Sequence, residues 1–192
     1  MFIQTESTPN PRTLKFLPGQ DVLGRGSREF ADADAALASP LATALFNVEG
    51  VERVYLGSDF VTITKSDSIE WPHLKPHVLA AIMDHFVSGR PVLGDASGPA
   101  DETDEAEIVY EGDAADIVKE LKEIIEARVR PAVARDGGDI TFHSWDHEEG
   151  IVRLNMRGAC AGCPSSTLTL KQGIENMLRH YVPEVNAVEQ VV

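Results

Sequence analysis

An α+β protein of two small domains, each a β-hairpin or sheet packed by helices and joined by an acidic linker, is predicted by three features of the sequence. Residues 51–86 and 140–181 share one order of elements, a hairpin followed by a helix that opens on proline. Between them, from Asp101 to Asp116, lie eight acidic residues and no basic one, directly after a Gly/Pro/Ser/Ala-rich stretch at 94–100. The 192 residues leave room for two domains of under about 100 residues each. The boundaries drawn are 1–93 for the N-terminal domain, 94–115 for a flexible acidic tether and 116–192 for the C-terminal domain.

In the N-terminal domain, Phe2 to Glu6 and Thr13 to Leu17 read as strands separated by the turn Pro9-Asn10-Pro11, where proline fixes φ and removes a ladder donor. Leu41 to Val48 reads as a helix. Val51 to Leu56 and Phe60 to Thr64 form a hairpin turning at Gly57-Ser58-Asp59. Pro72 suits a first helical turn, and Leu74, Val78, Ile82 and Phe86 then recur at steps of four, a face that packs on the hairpin. His73 and His77 on this helix have the spacing of a metal-binding pair, but no other ligand-type cluster lies nearby, and solvated histidines are the simpler reading.

The C-terminal domain opens with an amphipathic helix whose Ile117, Leu121, Ile124, Ile125 and Val129 share a face. Pro131 lies inside the pattern, where its ring would clash with the carbonyl of Ala127. The helix is expected to kink there and to end before Gly137-Gly138. Ile140 to Trp145 and Ile151 to Met156 form a second hairpin, turning at Asp146 to Gly150, with Val152, Leu154 and Met156 on one side. Pro164 opens a helix with the apolar stripe Leu170, Ile174, Met177, Leu178 and Tyr181. Pro183 stops it, and Val185 to Val191 is a final strand.

At 43% hydrophobic and 25% charged residues the composition is that of a folded protein. The net charge of −14 and pI of about 4.7 have the wrong sign for wrapping nucleic acid or sitting on anionic lipid. Removing the eight charges of the acidic run leaves −6 for the rest. The longest apolar stretch, Val78 to Val87, is broken by Asp84 and His85, so no membrane span is expected. The segment MFIQTESTPNPR has neither a basic region followed by an apolar one nor an Arg-rich, acid-poor bias, which predicts a cytoplasmic protein.

Chemistry concentrates at the two cysteines, Cys160 and Cys163, in Gly158-Ala-Cys-Ala-Gly-Cys-Pro-Ser-Ser166. This C-x-x-C runs from the end of a strand into the first turn of a helix, where free amides and the helix dipole are expected to favour thiolates. Three readings stand. An iron–sulfur cluster, [4Fe–4S] or [2Fe–2S], takes four thiolates as a rule, so a chain with two would share one across a homodimer through Cys160 and Cys163 of each protomer, near the surface of each. A thiol–disulfide oxidoreductase uses the same motif, but only 29 residues follow Cys163. A structural zinc site would combine Cys160 and Cys163 with His143 and His147.

Arg130-Pro-Ala-Val-Ala-Arg-Asp-Gly-Gly-Asp-Ile140, the cysteine segment and Thr169-Leu-Lys-Gln-Gly-Ile-Glu175 together resemble the NifU-like C-terminal domain of Nfu-type iron–sulfur proteins. Met1 to Pro11 with Thr13-Leu-Lys-Phe16 looks like the N-terminal domain found in many of them. The resemblance implies a scaffold or carrier, not an enzyme, that receives a cluster from the assembly machinery and delivers it to apo iron–sulfur client proteins, with Cys160 and Cys163 as the ligands.

Overall fold

The computed structural model describes residues 2–94, 108–161 and 164–191, with side chains left out at 164–167. The chain divides into two compact units, Met1–Glu102 and Thr103–Val192. Most of the expected acidic linker, residues 95–107, lies outside the described residues.

The N-terminal unit is an antiparallel five-stranded sheet in the order β1-β2-β5-β4-β3. Its strands are β1 (Gln4–Ser7), β2 (Thr13–Leu17), β3 (Arg28–Phe30), β4 (Val51–Leu56) and β5 (Val61–Lys65), with helices α1 (Pro40–Phe46) and α2 (Trp71–Val87). The expected hairpin at Val51 to Thr64 forms, and the two strands expected on either side of the Pro-Asn-Pro turn pair antiparallel. The three-residue β3 was not foreseen, because it is too short to carry an alternation. The Pro-Asn-Pro turn between β1 and β2 is locked from several sides. The Asn10 side chain accepts from the Arg12 amide, Trp71 donates its indole N–H to the Pro11 carbonyl at 3.0 Å, and the Arg12 guanidinium pairs with Glu52 and Asp67.

Leu74, Val78 and Ile82 of α2 are fully buried, as expected, but the next buried position is His85 rather than Phe86. Steps of four outrun a helix of 3.6 residues per turn, so the buried stripe drifts back by one residue within three turns. His85 thus occupies a core position with both ring nitrogens lacking a hydrogen-bond partner among the described residues. Its desolvation holds its pKa below the ordinary imidazole value, Arg90 adds to the shift, and Asp84 opposes it.

The C-terminal unit starts with α3 (Asp113–Ile124), runs through a π-helical turn (Ile125–Val129) into α4 (Arg130–Arg135), and continues with β6 (Gly138–Asp146), β7 (Ile151–Gly158), α5 (Pro164–Tyr181) and β8 (Ala187–Val191). The π-turn is how the chain accommodates Pro131. The Arg130 amide reaches back five residues to the Ile125 carbonyl, so the widened turn absorbs the proline that a regular helix could not pair. β6 and β7 are antiparallel, while β8 lies parallel to β7 with α5 as the crossover. A bulge between Phe142 and Ser144 shifts the alternation of β6, so Ile140, Phe142 and Trp145 all enter the core. They meet Leu121 and Ile125 of the first helical segment and Ile174 and Leu178 of α5. Tyr110 reaches the same body, its hydroxyl accepting from the Trp145 amide at 2.7 Å.

Candidate functional site

The cysteine loop grows from the open end of the β6–β7 hairpin, where Gly138 and Gly158 are paired across the ladder. Beyond Gly158 the chain turns sharply: Ala159 donates to the Gly137 carbonyl at 3.1 Å, and Ala161 donates to the Gly158 carbonyl at 3.1 Å. The turn folds Cys160 back over the start of β6. A Cβ at Gly138 would sit 2.4 Å from Cys160 Sγ, 2.9 Å from the Arg157 carbonyl oxygen and 3.1 Å from the Cys160 amide nitrogen, so only glycine leaves room for the thiol. Gly137 has a different task, a φ of +79° that ends α4 and reverses the chain.

Cys160 is only 5% exposed and packs with the apolar core of the unit. The expectation of a near-surface thiolate is corrected at this residue. Burial pushes its thiol pKa up to about 12, and the carboxylates of Asp136 and Asp139 push in the same direction. The helix dipole invoked from the sequence acts within the first turn of α5, which begins at Pro164, whereas Cys160 belongs to the turn after β7. Cys163, the second expected ligand, lies outside the described residues.

An ion pair fixes the strand that touches the thiol. Arg130, at the start of α4, grips Asp139 with two parallel hydrogen bonds, Nε to Oδ1 at 2.8 Å and Nη2 to Oδ2 at 2.9 Å, and also donates to Glu126 at 2.7 Å. Asp139 further accepts from the Ile140 amide. This bidentate grip on a nearly buried carboxylate closes the reversal at Gly137-Gly138 and holds Gly138 against Cys160. The neighbouring carboxylates raise the pKa of Arg130, keeping it charged. Sequence reasoning assigned this pair no role, and two residues nine apart on a helix and a strand carry no local signal of contact.

The alternative chemistries fare unequally. A zinc site uniting Cys160 with His143 and His147 is not assembled. His143 lies five residues along β6 from Gly138, roughly 16 Å of extended chain, and His147 lies at the opposite, Asp146–Gly150 end of the hairpin. His143 instead contacts the Ser144 hydroxyl at 3.1 Å. Among the described residues no three His, Cys, Asp or Glu side chains are grouped to hold a metal ion. A disulfide-exchange nucleophile needs a lowered thiol pKa, and that of Cys160 is raised. Soft sulfur donors at C-x-x-C spacing, one of them on a glycine-lined turn, remain suited to an iron–sulfur cluster.

The fold and site thus define a two-unit α+β protein built around a C-x-x-C loop. Residues 3–89 match the family model for the scaffold protein Nfu/NifU N terminal, and residues 121–189 match that for the NifU-like domain. The chain belongs to the Nfu/NifU-like family, in which some relatives are named iron-sulfur cluster scaffold homologs. It is 52% identical over 190 residues to NifU-like protein 4, mitochondrial, of Arabidopsis thaliana, covering 99% of this chain and 66% of that protein. It is 52% identical over 192 residues to the NFU1 iron-sulfur cluster scaffold homolog, mitochondrial, of Drosophila willistoni, covering 100% of this chain and 64% of that one. The chain therefore spans about two thirds of the length of these curated relatives. Among solved structures, the solution NMR structure of a NifU-like protein from Saccharomyces cerevisiae overlaps 50% of this chain and 86% of its own, at 29% identity and a TM-score of 0.45.

The cytoplasmic expectation is corrected by these relatives, which are named as mitochondrial proteins. The composition of the segment MFIQTESTPNPR, on which it rested, does not report a compartment. Among the described residues no helix is long and apolar enough to cross a membrane.

Proposed function

We propose that this protein is a carrier whose cargo is an iron–sulfur cluster, [4Fe–4S] with [2Fe–2S] as a lesser form, held between two protomers by Cys160 and Cys163 of each and passed to apo-proteins. The observation that carries the reading is the thiol count: the chain has two cysteines, both in the C-x-x-C, and a cluster takes four. Residues 94–115 serve as a tether between a cluster-bearing C-terminal domain and an N-terminal domain without cysteine. The protein groups make and break no substrate bond other than metal–thiolate bonds, so the function is binding and exchange rather than enzymatic catalysis. A client thiolate displaces Cys160 or Cys163 from iron, and the dimer separates as the cargo leaves.

The burial of Cys160 gives the exchange a direction. The Cys160 thiol packs into the core against Gly138, and burial pushes its pKa up. Loading has to withdraw it from that packing and remove its proton, a cost of apolar burial and deprotonation that subtracts from cluster affinity. Unloading returns both. The site is therefore weaker than a client site whose cysteines have no packed alternative, as a donor requires.

Cys160→Ser and Cys163→Ser are expected each to abolish stable cluster binding after anaerobic reconstitution, with circular dichroism nearly unchanged, while His143→Ala and His147→Ala keep parental iron. Parental iron and visible absorbance in either serine variant would overturn the assignment. Loss of iron in the histidine variants would restore the zinc-type ligand set.

A further inference from the structure

We propose that His73 and His77 form a second, exchange-labile metal site in the N-terminal unit, one that takes a divalent first-row transition ion. The two residues lie on the first turns of α2 at i and i+4, which places their side chains on one face with Cβ atoms about 5–6 Å apart. Paired imidazoles at this spacing are the helical chelate of zinc sites. Both rings line a single cavity of about 400 Å³, together with Asn47, Val48, Glu49 and Ile69.

These two histidines are also free for the task. Both are exposed, and neither imidazole ring makes a hydrogen bond, ion pair or ring contact among the described residues. The other described histidines with contacts are spoken for: His85 fills a core position, His143 contacts Ser144, and His180 lies edge-on to Tyr181. The cavity exceeds by far the roughly 30 Å³ share of one water, so it can hold an ion with several water ligands.

The same geometry limits the affinity. No third donor is grouped with the pair in the described residues, so the protein supplies a two-nitrogen chelate and water completes the shell. Glu49 lines the same cavity but is not grouped with the pair as a third ligand. The positive end of α2 opposes a dication at its first turn, and Glu70 at the N-cap position partly offsets it. A borderline ion that prefers imidazole nitrogen, Zn(II), Ni(II) or Cu(II), fits this donor set better than Mg(II) or Ca(II).

The test titrates Zn(II) into the full-length chain carrying Cys160→Ser and Cys163→Ser, so that the thiols do not compete. Calorimetry should show one zinc per chain, and zinc should raise the midpoint of thermal unfolding. Adding His73→Ala or His77→Ala should weaken binding at least tenfold and remove the thermal shift, whereas His147→Ala should change neither. The imidazole NMR resonances of His73 and His77 followed in the parent chain read the site without any substitution, and both should move together on zinc addition. Absence of a zinc-dependent change at these rings, or binding that survives both alanine substitutions, overturns the proposal. Neither outcome bears on the cluster at Cys160 and Cys163.

Discussion

Replacing Gly138 by alanine should expose the thiol that the fold conceals. The new Cβ would lie 2.4 Å from Cys160 Sγ and 2.9 Å from a backbone carbonyl oxygen, and the backbone cannot yield as easily as the side chain. Cys160 must therefore swing outward or the β6–β7 opening must spread. Overpacking of this kind costs about 2 kcal/mol, or roughly 10 °C in the melting of a unit this size. A larger signal lies in thiol chemistry. With a pKa of about 12, Cys160 is about one part in ten thousand thiolate at pH 8. Every unit by which exposure lowers that value raises the thiolate fraction about tenfold. The assay is iodoacetamide alkylation followed by mass spectrometry in a Cys163→Ser background, with unfolding measured in parallel. Gly137→Ala is the control. Its φ of +79° penalises a side chain by about 1 kcal/mol through backbone strain, so it should lower stability and gives the alkylation rate that destabilisation of the turn alone produces, which Gly138→Ala should exceed. Equal alkylation rates in the Gly138→Ala variant and its parent would refute the packing of Cys160 on Gly138.

Further substitutions probe the supports on either unit. Arg130→Met removes the bidentate partner of Asp139, whose side chain is only 6% exposed, and should destabilise the C-terminal unit by about 3 kcal/mol in urea titration, with Asp139→Asn restoring part of the loss; a change under about 0.5 kcal/mol would contradict the role given to the pair. In the N-terminal unit, the lowered pKa of His85 means that the unfolded chain binds a proton, near pH 6.5, before the folded one does. Stability of that unit should be complete above pH 6.5 and fall as pH drops below it, at up to about 1.4 kcal/mol per pH unit. His85→Leu should flatten this acid-side slope, and an unchanged slope would exclude His85 as its source.

Much of the fold was legible because local pattern and tertiary demand agree. The alternation at Val152, Leu154 and Met156, the apolar stripe at Ile174 and Leu178, and the prolines at 72 and 164 all mark elements that form. What escaped depends on contacts distant in sequence or on small departures from ideal geometry. The π-turn before Pro131, the bulge that brings Trp145 inward and the drift that buries His85 each displace a pattern by a single residue. At the site, the motif identified both cysteines, but the state of Cys160 is set by Gly138, 22 positions earlier, and by Asp136 and Asp139. A helix-dipole argument confined to the motif therefore gave the wrong sign for that thiol.

The central claim, a cluster shared by two chains and given up on demand, is tested most directly by native mass spectrometry with iron and sulfide analysis under anaerobic conditions. The measurement is made on the cargo-free protein, after reconstitution, and again after an apo-acceptor with buried cysteine ligands is added. The account predicts a monomer, then a dimer carrying one [4Fe–4S] per two chains, then a monomer again with the iron on the acceptor. A stable monomer retaining a complete cluster, or a loaded dimer that yields its cluster to no acceptor, would contradict it.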